Sequence, residues 1–215
     1  MDELYASARA AERVGAVSSE LILGGQKSGK SRRAELLARE WLAASAQNRA
    51  VLIATAQPWD DEMRTRIARH QADRAQRVPG MATVEEPLAL AEALARHSHV
   101  DVLVVVDCLT LWLTNLLMPV SGDNFKLNKP LATVELSWLA PLLIAIENAP
   151  GSVVLVGNEI GLGVIPLGAE VRAFVDALGQ LNQAVAGACA RVTLMAAGLP
   201  LTLKNTNEPA KDDGR

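Results

Sequence analysis

Eight residues near the start of the chain have the types and spacing of a phosphate-binding loop. Gly24 and Gly29-Lys30-Ser31 follow the pattern G-x-x-x-x-G-K-S, in which glycines let successive backbone N–H groups point at a phosphate. We expect Lys30 to lie along the β- and γ-phosphates of a nucleoside triphosphate and the Ser31 hydroxyl to hold Mg²⁺. An apolar run (21–23) precedes the loop and a helix-forming segment follows it. The alternative is a glycine-rich turn that binds no ligand.

A second candidate ligand for Mg²⁺ is Asp107, the last residue of DVLVVVD (101–107). A continuous β-branched run of this kind is typical of a buried strand in a parallel sheet. A carboxylate at the end of such a strand has the place of a Walker B acid, which holds Mg²⁺. The alternative is a cap for the following turn.

His70 is the candidate nucleophile. It lies about three turns into a predicted helix at about 60–76, among Arg66, Arg69 and Arg74. Neighbouring positive charges favour a neutral, nucleophilic imidazole, and arginines suit a polyphosphate. The alternative is a solvent-facing histidine on a basic helix.

Polar residues also follow the predicted strand at 152–159, which ends at Asn158-Glu159. Glu159 suits a base, a group that orients a substrate, or a cap of the turn. Four polar residues recur along a predicted helix at about 168–188, and we interpret them as a solvated or intersubunit face: Arg172, Asp176, Asn182 and Gln183.

Composition narrows the class of protein. The chain has 215 residues, half of them apolar, and a net charge of −3, which provides no general attraction to nucleic acid or an anionic membrane. Cys108 and Cys189 lack metal or disulfide spacing and are expected to be buried thiols. The apolar run at 100–120 contains two aspartates, so we expect a strand and a helix start instead of a membrane span. With no apolar signal region at the N-terminus, a cytoplasmic protein is expected.

The order of elements predicts the fold. Strands are predicted at 20–24, 51–57, 82–86, 101–107 and 152–159, and helices at about 30–46, 60–76, 87–97, 131–149 and 168–188. Alternating strands and helices indicate a three-layer α/β domain with a mainly parallel central sheet. Two short strands (191–198 and 199–204) form a C-terminal hairpin. Residues 1–18 are a separate extension, 19–204 the domain, 119–130 a surface loop and 205–215 a disordered tail.

Several motifs, in this order, resemble one known family. They are GGQKSGKSRRAE (24–35), IATAQPWDDEMRTRIARH (53–70), TVEEP (83–87), VDCLTLWLTNLL (106–117), VGNEIGLGVIP (156–166) and R-x-F-x-D-x-x-G-x-x-N-Q (172–183). The family is that of the bifunctional adenosylcobinamide kinase/adenosylcobinamide-phosphate guanylyltransferases of cobalamin biosynthesis, and the resemblance runs from about 20 to 204. It departs at Arg69-His70, where some relatives carry adjacent histidines, and at Gly157, where a hydroxyl residue is usual.

The resemblance implies two reactions at one nucleotide site. A nucleoside triphosphate (ATP or GTP) phosphorylates adenosylcobinamide, and GTP then transfers GMP to the new phosphate through a histidine–GMP intermediate, for which His70 is the matching residue. It also implies Mg²⁺, a trimer and these nucleotide contacts: Gly24, Gly25, Gln26, Lys27, Ser28, Gly29, Lys30, Ser31, Thr55, Ala56, Gln57, Gln71, Ala72, Asp73, Arg74, Glu85 and Asp107. Two other functions fit the P-loop alone: a kinase or NTPase acting on another small molecule, and a GTP-binding regulator without group transfer.

Overall fold

The computed structural model describes residues 19–118, 138–163 and 166–206. Strands and helices alternate along these ranges, as the sequence predicts. The strands are β1 (Ser19–Gly24), β2 (Arg49–Ala54), β3 (Met81–Glu85), β4 (Val102–Asp107), β5 (Val153–Val156), β6 (Arg191–Ala196) and β7 (Leu199–Asn205). The helices are α1 (Lys30–Ala44), α2 (Asp61–Arg77), α3 (Leu90–His97), α4 (Leu109–Leu117), α5 (Leu139–Glu147) and α6 (Ala169–Ala188).

All seven strands form one sheet in the order β3-β2-β4-β5-β1-β6-β7. The pairs from β3 to β6 are parallel, and β7 returns antiparallel to β6. The predicted α/β fold with a mainly parallel sheet and a C-terminal hairpin is therefore confirmed. Because the parallel strands point the same way, their carboxyl ends share one edge of the sheet, which is where such folds bind ligands.

The central strands bury side chains on both faces, which explains their continuous apolar sequences. One face of the sheet contributes Leu21, Leu23, Val104 and Val106 to a core with α3, α4, α5 and α6. The opposite face packs Ile22, Leu52 and Val105 against Ala34 and Ala38 of α1. Each fully buried aliphatic side chain contributes about 1.5–3 kcal/mol, so both faces hold the sheet and its helices in three layers.

Strands β2 and β5 end three residues earlier than the sequence predicts. β2 ends at Ala54 and not at Gln57, because the Thr55 hydroxyl and carbonyl bond to Cys108 and Asn115. β5 ends at Val156 and not at Glu159. Beyond it, Asn158 N–H donates to the Thr110 hydroxyl of α4 and not to β4, although Gly157 and Glu159 N–H still donate to Ile22 O and Gly24 O of β1.

The structure describes only part of the other predicted segments. The described part of the helix predicted at 131–149 is α5. Asn205, assigned to the tail, is the last residue of β7. The predicted extension at 1–18, the loop at 119–130 and residues 207–215 lie outside the described residues.

Helix α2 differs from the other helices in how it is held. Arg74 is the one buried residue among its 17, whereas α1, of 15 residues, buries four. Polar contacts therefore matter more for the position of α2 than apolar packing does. Among the helices that the structure describes, none has the length and apolar character to cross a membrane.

Candidate active site

The loop between β1 and α1 has the backbone that its glycines predict. Gly24 and Gly29 have φ angles of 152° and 100°, which side chains rarely adopt. A Cβ at Gly24 would also lie 2.5 Å from the Met195 carbonyl oxygen. The loop is tied at both ends, since Glu159 N–H donates to Gly24 O (3.0 Å) and Gly198 N–H donates to Ser28 O (3.1 Å). The loop is preformed by its neighbours and not by the ligand.

Lys30 begins α1 and folds back over this loop. Its Nζ donates to Gly25 O at 2.7 Å, and the residue is buried. The pKa of the Lys30 ammonium is lowered by burial, and the nearby Cys108 and Asp107 offset this only in part. A lysine at this position of a phosphate-binding loop binds phosphate oxygens together with the backbone N–H groups of the loop.

Asp107 is fixed by the segment that follows it. The Thr55 hydroxyl accepts from Cys108 N–H (2.9 Å) and donates to Cys108 O (2.7 Å). Thr55 itself is fully buried, and its carbonyl accepts from Asn115 Nδ2 at 2.8 Å. Thr55 therefore holds the backbone next to Asp107, and its hydroxyl is occupied.

Ser31 and Asp107 are suitable ligands for Mg²⁺. The Asp107 carboxylate accepts no hydrogen bond from any residue in the described ranges, so its oxygens are available, and no side-chain bond caps α4. The described residues contain no cluster of three His, Cys, Asp or Glu side chains able to hold a metal. A P-loop site does not need one, because water and phosphate oxygens complete the shell of Mg²⁺.

Arg74 connects the histidine helix to this region. It is 9% exposed; burial lowers the pKa of its guanidinium, and the negative charges of Asp107 and Glu35 raise it. Glu35 of α1 is buried and pairs with Arg77 at 3.1 Å, which raises the pKa of Arg77. Arg77 of α2 thus forms an ion pair with Glu35 of α1, and Arg74 lies close enough to Asp107 and Glu35 to be influenced by their charges.

His70 lies one helical turn before Arg74 on α2. Its imidazole is exposed and has no hydrogen bond or ion pair to any described residue. The helix begins at Asp61 with a capping bond from Met63 N–H to Asp60 Oδ1 (2.7 Å). An exposed imidazole with both nitrogens free can act as a nucleophile.

The two cysteines are not candidates. Burial, followed by the charge of Asp107, raises the pKa of the Cys108 thiol to about 12. Burial raises the pKa of Cys189 to about 12 as well. Both remain neutral thiols at physiological pH, which confirms the expectation from sequence.

Comparison with known proteins identifies the family. The family model for cobinamide kinase / cobinamide phosphate guanyltransferase matches residues 20–203. The chain belongs to this family.

Individual relatives agree over nearly their full length. The bifunctional adenosylcobalamin biosynthesis protein CobP of Pseudomonas aeruginosa is 48% identical over 186 residues, covering 86% of this chain and 96% of that protein. CobU of Escherichia coli is 35% identical over 187 residues, covering 86% and 98%. The solved structure of flagellar accessory protein FlaH from Methanocaldococcus jannaschii covers 92% of this chain and 84% of its own at 10% identity, with a TM-score of 0.48.

The structure brings some of the residues implied by the cobinamide kinase/guanyltransferase family together. Gln71 Nε2 of α2 donates to Glu85 Oε1 at the end of β3 (3.3 Å). Gln57 follows β2, and its side chain accepts from Trp59 Nε1 (2.9 Å). The ends of β2, β3 and β4 are neighbours because these strands are adjacent in the sheet, and the bond between Gln71 and Glu85 holds α2 beside them.

Five more of the nucleotide contacts that the resemblance implies are exposed or half-buried. Ala72 is exposed on α2. Asp73 pairs with Arg77 at 3.3 Å along the helix surface. Ala56 is half-buried after β2, and Gln26 and Lys27 are exposed in the loop.

Sequence reasoning missed three buried polar residues that hold the site. Glu35 was not considered. Asn115 Nδ2 bridges the carbonyls of Thr55 and Pro87 at 2.8 and 2.9 Å. Asn182 is 4% exposed, so assigning it to a solvated or intersubunit face was wrong, whereas the other three residues of that set are exposed. The available signal was an amide side chain within an otherwise apolar helical pattern.

Proposed function

We propose that this chain phosphorylates adenosylcobinamide and then transfers GMP to the product, using one nucleotide site for both reactions. The proposal rests on family membership and on one observation: Arg77, on the helix that carries His70, pairs with the buried Glu35 of α1 at 3.1 Å. The helix that carries the nucleophile is therefore anchored against the P-loop half of the domain.

In the first reaction the aminopropanol hydroxyl of adenosylcobinamide attacks the γ-phosphorus of ATP or GTP. The bond between Pγ and the β,γ-bridging oxygen breaks, and the nucleoside diphosphate leaves. Lys30 and the backbone N–H groups of the loop bind the β- and γ-phosphate oxygens and stabilise the charge that they gain. Ser31 and Asp107 would hold Mg²⁺, which when bound neutralises phosphate charge and orients the triphosphate.

In the second reaction the His70 imidazole attacks the α-phosphorus of GTP. The bond from Pα to the α,β-bridging oxygen breaks, pyrophosphate leaves, and the imidazole loses the proton on its other nitrogen, so that the ring in the histidine–GMP adduct is uncharged. The phosphate of adenosylcobinamide phosphate then attacks Pα, and the P–N bond breaks with reprotonation of the imidazole. The products are adenosylcobinamide-GDP and free His70.

The remaining nucleotide contacts are assigned by family match. Gln71 and Glu85 are hydrogen-bonded to each other and can read the polar edge of guanine. Thr55 acts by positioning the segment after Asp107, since its side chain is buried. Ala56 and Gln57, together with the segment from 72 to 74, would complete the nucleotide site, and we propose a trimer as the assembly.

The adduct is the direct test. The protein is incubated with GTP labelled in the α-phosphate and with Mg²⁺, and GMP is located by mass spectrometry. We expect one GMP on His70, labile in acid and stable in base, as a phosphoramidate is. His70→Ala should remove it, while the matched variant His99→Ala, an exposed histidine before β4, should label like the wild type. Labelling that survives in His70→Ala would refute the nucleophile, and light scattering tests the trimer.

A further inference from the structure

The segment after β5 lies between the P-loop and Asp107, the two parts of the predicted phosphate site. β5 pairs with β1 on one side and with β4 on the other. Val156, its last residue, is level with Ile22 of β1 and with Asp107 of β4. The residues that follow Val156 therefore emerge between the P-loop and Asp107, where a transferred phosphoryl group is held in P-loop enzymes.

Backbone N–H groups of this segment donate hydrogen bonds both to α4 and to the P-loop. Asn158 N–H donates to the Thr110 hydroxyl at 2.9 Å, at the start of α4 beyond Asp107. Glu159 N–H donates to Gly24 O at 3.0 Å, at the first glycine of the loop. The Glu159 backbone is thus attached to the loop itself.

The Glu159 carboxylate is also oriented. Its Oε1 accepts from Gly161 N–H at 3.0 Å, and its Oε2 faces Asn182 Nδ2 at 3.4 Å. The same Asn182 Nδ2 donates to Asn158 O at 3.0 Å. Asn182 is buried, and its Oδ1 has no partner in the described residues. A buried amide therefore holds one carboxylate oxygen in place.

Substrate can reach this carboxylate. Glu159 is partly exposed and lines an open groove of about 360 Å³ between α6 and the sheet. Lys204 is the other charged side chain along this groove, and its ammonium is engaged by the Ala186 and Gly187 carbonyls at 2.9 and 2.8 Å. Glu159 is the acidic residue among those that line the groove, and within residues 19–118, 138–163 and 166–206 no cation forms an ion pair with it.

We propose that Glu159 is the general base of the phosphorylation reaction and that Asn182 is its positioning residue. The proposal deepens the proposed function and rests on it. As the acceptor hydroxyl oxygen bonds to Pγ, its proton passes to the Glu159 carboxylate, and the diphosphate leaves with the electrons of the broken P–O bond. Glu159 then releases the proton to solvent.

The two reactions differ in their need for this base. The acceptor in phosphorylation is an alcohol, which must lose a proton to become a phosphate ester. The acceptor in guanylyl transfer is a phosphate that is already ionised at neutral pH. A base beside the P-loop therefore serves the first reaction and has no proton to remove from the acceptor in the second.

Glu159→Gln tests this difference. Glutamine keeps the shape and can accept from Gly161, and its amide can donate to the unpartnered Oδ1 of Asn182. We expect the phosphorylation rate to fall about 10²–10⁴-fold, while guanylyl transfer to supplied adenosylcobinamide phosphate and labelling of His70 stay at wild-type rates. Glu147→Gln, an exposed acid at the end of α5, is the matched control and should keep both activities.

The outcomes separate this proposal from the function itself. Full phosphorylation in Glu159→Gln, or an equal loss of both reactions, overturns the role of Glu159 while leaving the bifunctional enzyme intact. Absence of both reactions in the wild-type protein refutes the proposed function instead.

Asn182→Asp tests the positioning role. A second carboxylate beside Glu159 makes ionisation of the pair harder. The acid limb of the phosphorylation pH profile should therefore move to higher pH, while the profile of guanylyl transfer stays unchanged. An unchanged phosphorylation profile in a folded variant would show that Asn182 only supports the fold.

Discussion

The P-loop with α1 and the histidine helix α2 are neighbouring parts of one site but are held in different ways. α1 packs Ala34 and Ala38 into the sheet, and the loop before it is hydrogen-bonded to two other segments. α2 buries Arg74 alone and meets its surroundings through polar pairs. Polar surface contacts contribute less than apolar burial, so α2 is the region expected to open at lower free energy.

The difference corresponds to the two kinds of chemistry. Binding a triphosphate needs donors fixed before the ligand arrives, because reorganisation would use up binding energy. A covalent nucleophile of the kind proposed for His70 would have to meet GTP and later present GMP to a second substrate. A rigid loop and a more loosely held helix suit these two demands.

The largest predicted effect separates the two regions by activity. Lys30→Ala removes the buried cation that serves both reactions, so phosphorylation and guanylylation should each fall at least about 10²–10³-fold. His70→Ala should abolish guanylylation and leave phosphorylation at its normal rate. Initial rates with each substrate, assayed separately, check both variants. A Lys30 variant that keeps either activity would show that the reactions use separate phosphate sites.

A smaller effect is predicted for the anchor of α2. Arg74→Leu removes the cation that faces Asp107 and Glu35, and it should lower the free energy of unfolding by about 1–3 kcal/mol. Hydrogen exchange should accelerate in α2 and stay unchanged in α1. Arg69→Leu, an exposed arginine of the same helix, is the matched control. Equal acceleration in both helices would contradict the difference in how they are held.

The smallest effect concerns the segment after β5 that is bonded to the P-loop, where the buried Asn182 Oδ1 has no partner among the described residues. A Cβ at Gly157 would lie 3.2 Å from Asn182 Oδ1 and 3.1 Å from Leu23 Cδ2. Gly157→Ser adds a hydroxyl that can donate to Oδ1, whereas Gly157→Ala adds only the crowding. We expect the serine variant to be more stable than the alanine variant by about 1 kcal/mol, or about 2–4 °C in Tm. Identical thermal melts would show that the hydroxyl finds no partner.

Much of the fold follows from local patterns. The apolar runs of β1 and β4 predict buried parallel strands, and the rule that ligands gather at carboxyl ends places Asp107 and Asn158 on the same edge as the P-loop. The glycine pattern predicts the loop because only a few backbone conformations bring its N–H groups together.

The features that the sequence did not predict depend on contacts between residues that are far apart in the chain. The burial of Arg74 depends on how α2 packs against α1, whereas the sequence around Arg74 has the pattern of a polar surface helix. Asn182 belongs to a helix whose buried side is otherwise apolar. The ends of β2 and β5 were placed too late because side chains of α4 bond to the backbone there: Asn115 Nδ2 donates to Thr55 O, and the Thr110 hydroxyl accepts from Asn158 N–H.

The hairpin of β6 and β7 has a consequence for how the protein is made. The Met195 carbonyl presses against Gly24, and Gly198 N–H bonds to Ser28 O, so the phosphate loop near the start of the chain is supported by residues near its end. A ribosome must complete almost the whole domain before this support exists. A nascent chain released before residue 198 would carry the full G-x-x-x-x-G-K-S motif without these two contacts, so we expect it to bind nucleotide more weakly than a chain that includes the hairpin.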